Sequence, residues 1–129
     1  MPTFDITPLK NALSTLEEAL AVSEPSTLER DGTIQRFEYT VELAWKMMRR
    51  HILALGRPEV SSSPKPIVRD AGVEGLVSEV PVWLDFVDKR NLAAHIYSES
   101  DAEAVYKTAM RLPEYVHQLI SRLEERGEN

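Results

Sequence analysis

The sequence predicts an all-α fold, an up-and-down antiparallel bundle of four main helices with one extra short helix. Three features carry that expectation. Apolar residues recur at three- and four-residue intervals along most of the chain, no run alternates apolar and polar for long enough to make a strand, and the segments between helical stretches are short enough to join antiparallel neighbours. With 129 residues and no internal repeat, the chain reads as a single domain, 1–129, able to bury well over half of the surface its unfolded form exposes.

The first helix is expected to take Thr7 as N-cap and Pro8 at its first helical position, with Leu9, Leu13, Leu16 and Leu20 on one face, and to close near Pro25. The second starts near Ser26 or Thr27 and runs to about Leu55, because Ile34, Phe37, Val41, Ala44, Trp45, Met48, Ile52 and Leu55 keep one face apolar. Asp31-Gly32 allows a delayed or kinked first turn, and Gly56 with Pro58 stops the helix. Tyr39, Leu43 and Met47 form a second stripe whose burial points to a homodimer, although a wider core within one chain would look the same.

Residues 56–66 hold three prolines and three serines and read as a loop. A short helix is expected at 67–75, limited by Gly72 and Gly75. The next long helix covers residues 79 to about 97, with Pro81 in its first turn and Val82, Trp83, Phe86, Val87, Ala93 and Ala94 as apolar positions. Ser100 and Glu103 have the spacing of a capping box that opens the final helix through Val105, Met110, Leu112, Val116, Leu119, Ile120 and Leu123, and Pro113 should bend or split it.

Composition narrows the chemistry. The chain has no cysteine, which excludes disulfides, thiolate metal sites and Cys nucleophiles. No stretch approaches the apolar length needed to span a bilayer and the N-terminus lacks a signal-like segment, so a cytoplasmic protein without membrane contact is expected. The net charge of −6 argues against electrostatic coating of nucleic acid. It is unevenly spread: −5 over residues 1–45, +4 over 46–70 and −5 over 71–129, so a local basic patch on an acidic body can still hold a phosphate. Gly-rich phosphate loops and a His-Glu-x-x-His zinc helix are absent, and His51, His95 and His117 are scattered; no metal and no cofactor are expected. The pairs Glu17/Glu18 and Glu124/Glu125 read as solvated surface.

The candidate site lies towards the end of the 79–97 helix, in the run from Asp85 to Tyr97 that contains Arg90, Asn91, His95 and Tyr97. On one continuous helix Asn91 and His95 would be neighbours and Arg90 and Tyr97 would share a face, while Arg90 and His95 would diverge by about 140°. The two converge only if the helix frays near His95 or if two copies face each other across a dimer. Taken alone, the pattern also suits a structural role, with Arg90 paired to Asp85 or Asp88 and His95 a partly buried ring. Phe37, Val41, Trp45 and Met48 are read as core, Glu42 with Lys46 as a favourable helix pair, and Arg36, Lys46, Arg49 and Arg50 as possible contacts to RNA or a partner.

The segment ArgPheGluTyrThrValGluLeuAlaTrpLys at 36–46, then ArgAspAlaGly at 69–72, TrpLeu at 83–84 and ArgAsnLeuAlaAlaHisIleTyr at 90–97 together resemble the nucleotidyltransferase substrate-binding protein family, within the HEPN superfamily of α-helical domains. The resemblance spans about residues 8–125. It implies an up-and-down, HEPN-like bundle that forms a homodimer and joins a cognate minimal nucleotidyltransferase in a hetero-oligomer. Two functions come with it. One is a toxin–antitoxin pair, in which the helical chain is a metal-independent endoribonuclease acting through Arg90, Asn91 and His95 and silenced by AMP transfer to Tyr97. The other is a non-catalytic subunit that presents substrate to the nucleotidyltransferase.

The residue chemistry agrees with a nuclease. RNA cleaves itself when its 2′-hydroxyl attacks the adjacent phosphate, so an enzyme needs a proton-transfer group and a cation for the developing phosphorane charge. Imidazole is the side chain suited to acid or base work near neutral pH, which makes His95 the candidate proton carrier. Arg90 offers a planar fork that matches phosphate oxygens, and Asn91 can orient either partner.

Overall fold

The computed structural model describes residues 4–96 and 98–128. Its helices are α1 (Thr7–Leu20), α2 (Thr27–Ala54), α3 (Pro64–Val73), α4 (Val80–Ala93), α5 (Glu99–Ala109) and α6 (Leu112–Glu125). Among the described residues there is no strand. Local chemistry sets most of the boundaries. Prolines open α1, α3, α4 and α6, where a missing N–H costs nothing. Ser26 starts α2 with a full capping box: its hydroxyl accepts from the Glu29 N–H at 3.1 Å and the Glu29 carboxylate accepts from the Ser26 N–H at 2.9 Å. Asp31-Gly32 therefore neither delays nor breaks that helix.

Boundaries differ from the sequence expectation at both ends of α1, at α3, which runs Pro64–Val73 rather than 67–75, at the end of α4 and at the cap of α5. Thr7 is the first helical residue of α1 rather than its cap, its N–H held by the Asp5 carboxylate at 2.8 Å, and α1 closes at Leu20 instead of near Pro25. Pro113 splits the last helix, one of the two outcomes the sequence allowed. Its ring would collide with the carbonyl four residues back, on Ala109, and there α5 ends. At the end of α4 the ladder tightens, with the Ala94 N–H on Asn91 O and the His95 N–H on Leu92 O, so α4 stops at Ala93 and does not reach Tyr97. The cap of α5 is Ser98, whose hydroxyl accepts from the Asp101 N–H at 3.2 Å in place of the expected Ser100 box. Glu103, freed from capping, turns instead to Arg30.

Helix α2 is the axis of the bundle and packs against all five others. Contacts along it fix the directions. Phe4 meets Arg50 while Thr15 meets Tyr39, so α1 runs antiparallel to α2; Arg30 meets Glu99 while His51 meets Glu128, so α5 and α6 together run parallel to it. Helix α4 returns antiparallel, with Arg90 beside Glu42 while Ile96, past its end, lines a hollow with Thr27 and Arg30 at the start of α2. The chain thus goes down, up, down and up, with α3 as the extra short helix. Phe37, Val41, Trp45 and Met48 are buried in the core as the stripe predicts. The second stripe is covered within one chain: Met47 is buried, Leu43 packs against the core, and Tyr39 lies at the edge with its hydroxyl 2.6 Å from that of Thr15. Its burial needs no second copy. Gly72 lets α3 approach α4, since a Cβ there would collide with the side chain of Val80.

Candidate functional site

Three histidines compete for the role of proton carrier, and their surroundings separate them. His51 is buried, with Nδ1 3.2 Å from a Glu128 carboxylate oxygen and Nε2 3.3 Å from the Arg126 guanidinium, and it ties the C-terminal segment to α2. His117 lies 3.1 Å from the Glu17 carboxylate and links α6 to α1. His95 is exposed in the turn that follows α4 and has no hydrogen-bonding side-chain partner among the described residues. It is the imidazole left for solution chemistry.

Arg90 projects from the last turn of α4 towards α2. It does not pair with Asp85, which holds Lys89 at 2.8 Å, nor with Asp88, which holds Lys65. Its Nε lies 3.4 Å from a carboxylate oxygen of Glu42, buried but without an aligned hydrogen bond. The same oxygen of Glu42 accepts the indole N–H of Trp45 at 3.0 Å, and the other is 3.4 Å from the Lys46 ammonium. Burial alone would raise the Glu42 carboxyl; the Trp45 hydrogen bond and the charges of Arg90 and Lys46 outweigh it and hold the group below its ordinary value of 4.5. The outcome is an arginine tethered at its inner edge. The side chain keeps 35% of its surface in water and its two terminal nitrogens make no hydrogen bond among the described residues, so the fork can meet an anion.

A hollow of about 210 Å³ adjoins this pair, lined by Val41, Glu42, Trp45, Pro64, Val87, Arg90 and Asn91, and a second, shallower one continues along α2 past Glu42, Tyr39, Glu38 and Gln35. Asn91 is exposed at the mouth of the first. The structure therefore joins Arg90 and Asn91 in one groove and sets His95 beyond the helix end; neither hollow that Arg90 lines includes His95. The Tyr97 position lies outside the described residues. Glu42 is the residue that sequence reasoning missed. Its pairing with Lys46 was visible at i, i+4, but its pairing with Arg90 depends on the register of α4 against α2.

Because the Glu42 and Arg90 side chains keep 30% and 35% of their surface in water, their attraction is modest. A double-mutant cycle of Glu42→Gln and Arg90→Gln in urea unfolding should return a coupling of about 0.5–1 kcal/mol. A coupling of zero would mean that the two groups only happen to lie close.

A hollow of about 400 Å³ beside Arg30 is a different matter. Glu99, Asp31 and Glu103 all reach the Arg30 guanidinium, with the Glu99 contact at 2.7 Å, so its donors are occupied. It clamps the start of α5 to the start of α2. Among the described residues no three His, Asp or Glu side chains cluster as metal ligands, and no helix is long and apolar enough to cross a membrane.

Comparison with known proteins extends the geometry. A family model for nucleotidyltransferase substrate binding protein-like chains matches residues 4–125. A Haemophilus influenzae protein named probable ribonuclease HepT is 36% identical over 78 residues, covering 58% of this chain and 53% of the relative, so the match spans about half of that relative's length. A Thermus thermophilus protein of known crystal structure superimposes with a TM-score of 0.82 at 35% identity, over 89% of this chain and 98% of its own. A Haemophilus influenzae structure, said to reveal the fold of a substrate binding domain of a nucleotidyltransferase, gives 0.78 at 26% identity over 93% and 99%. The match over nearly the whole chain, on the same all-helical fold, establishes that this chain belongs to the nucleotidyltransferase substrate binding protein-like family.

Proposed function

We propose that the chain is the helical partner of a minimal nucleotidyltransferase in a toxin–antitoxin pair, and that it is a metal-independent endoribonuclease of the HEPN type. The observation that carries this reading is the pairing of a tethered arginine whose fork is open with an exposed imidazole just past the helix end. The ribonuclease named among its relatives supports the activity, and the family description supports the partner. In the reaction, His95 moves the protons while the 2′-oxygen bonds to phosphorus and the bond from phosphorus to the 5′-oxygen breaks, leaving a cyclic phosphate and a 5′-hydroxyl. Arg90 neutralises the phosphorane and Asn91 orients the phosphate. Since Arg90 turns into the α2–α4 groove and His95 stands outside it, a homodimer with the two 90–97 segments facing each other supplies both groups to one cleft.

Silencing in this reading is AMP transfer to Tyr97, which adds a phosphodiester anion and a bulky adenosine to the 90–97 segment. Incubation with the cognate nucleotidyltransferase, ATP and Mg²⁺ is expected to raise the intact mass by one or more AMP units, with the gain absent in Tyr97→Phe. RNA cleavage by the unmodified chain should persist in EDTA. An unchanged mass, or equal modification of Tyr97→Phe, would leave inhibition to occlusion by the bound partner.

The second reading, a non-catalytic subunit that presents substrate, is favoured by the description of the Haemophilus influenzae fold and by the engagement of Arg90 with Glu42. Failure of the purified chain to cleave RNA, with the complex still active as a nucleotidyltransferase, would select it.

A further inference from the structure

Within the basic segment 46–70, Lys46 shares the Glu42 carboxylate and Pro64 lines the hollow of the site described above, but the remaining charges are not equally spoken for. Lys65 is paired with Asp88, and Arg57 lies 3.6 Å from both Asp70 and Glu74. Arg49 and Arg50 have no carboxylate partner within ion-pair distance among the described residues. Arg49 spends only its Nε, donated to the Ser61 carbonyl at 2.8 Å, which holds the loop after α2; Arg50 rests its guanidinium 5.6 Å over the Phe4 ring. Lys46, Arg49 and Arg50 stand at i, i+3 and i+4, so they share a face of α2. With Trp45 and Ser62 they enclose a shallow hollow of about 340 Å³.

We propose that this hollow holds a backbone phosphate of single-stranded RNA one or two nucleotides from the one being cleaved, an inference that rests on the ribonuclease reading. Two arginine forks, an ammonium and a serine hydroxyl are the donor set that a phosphodiester takes. Position favours the same occupant. Trp45 lines both this hollow and the Arg90 hollow, so the two adjoin, and the rise of α2 sets Arg49 about 10 Å along the axis from Glu42. A strand whose scissile phosphate lies on Arg90 would pass directly over the hollow. A protein partner fits it less well, because a protein hot spot needs an apolar anchor: Trp45, the apolar residue that lines the hollow, is buried, and Leu53, exposed one turn further along α2, is not part of its lining.

The test uses His95→Ala chain and a fluorescently labelled single-stranded RNA, with anisotropy followed across a salt series. Adding Arg49→Gln and Arg50→Gln together should weaken binding by about 10-fold and flatten the dependence of log affinity on log salt by about 1–2. Arg50→Gln alone, which keeps the Arg49–Ser61 bond and therefore the loop, should weaken it by about 3-fold. An unchanged affinity and slope in the double variant, with thermal unfolding intact, would overturn the proposal, as would a variant that keeps RNA binding and loses only its association with the nucleotidyltransferase. Cleavage by wild-type chain, assayed in parallel, judges the ribonuclease reading separately: an inactive chain that still shows the arginine-dependent binding keeps the hollow as an RNA site and removes the nuclease.

Discussion

Replacement of His95 by alanine should lower the rate of RNA cleavage by about 10²- to 10⁴-fold, the usual contribution of a positioned proton-transfer group, and relieve growth arrest when the chain is expressed without its partner. Stability should not change. His95 is exposed, lies outside α4 and makes no side-chain hydrogen bond among the described residues, so truncation removes no packing. Arg90→Ala should be similarly inactive. Arg90→Lys should recover only a small part of the rate, because an ammonium keeps the charge but loses the planar fork.

The pH dependence is a separate check on the same assignment. Glu42 is held below its ordinary value of 4.5, so its charge on Arg90 is fully present above that value and is lost only as the pH falls through the lower folded one. A loss of activity between about pH 7 and 5 would then belong to an imidazole and not to the tether, and Glu42→Gln should leave that limb in place. Wild-type activity in purified His95→Ala would end the nuclease assignment and leave the substrate-presenting role.

Much of this architecture was legible in the residues. The stripe of Phe37, Val41, Trp45 and Met48 was long and regular enough to specify one buried face, and the start of α2 was marked by Ser26. Features decided by competition between neighbours were not. Ser98 and Ser100 both qualify as caps; Ser98 prevails because α4 has already tightened at His95, and Glu103, which would have closed the Ser100 box, is drawn to Arg30. The stripe of Tyr39, Leu43 and Met47 signalled burial but could not say what covers it, and α1 of the same chain does. Within the site, the residue types were visible while their grouping was not. Arg90 had acidic neighbours on its own helix, yet Lys89 and Lys65 claim them, so it reaches across to Glu42.

The groove has a mechanical foundation in Phe86, one helical turn before Arg90. Its ring is completely buried and lies edge-on to Trp83 at 5.3 Å and to Tyr115 of α6 at 5.4 Å, so it joins α4 to the far side of the bundle. Phe86→Ala should cost about 3–5 kcal/mol in urea unfolding at 25 °C, a combined loss of transfer energy, aromatic contact and cavity lining. Against a total stability of about 5–15 kcal/mol, that is enough to populate unfolded chain near physiological temperature. Phe86→Leu, which refills most of the space, should cost about 1–1.5 kcal/mol and keep the groove. The comparison separates packing from chemistry: the leucine variant should cleave RNA at nearly the wild-type rate, whereas the alanine variant should lose activity in step with its folded fraction. A loss below about 1 kcal/mol in Phe86→Ala would mean that the site collapses without cost, and that α4 is held against α2 by the Glu42–Arg90 pair and its neighbours rather than by this ring.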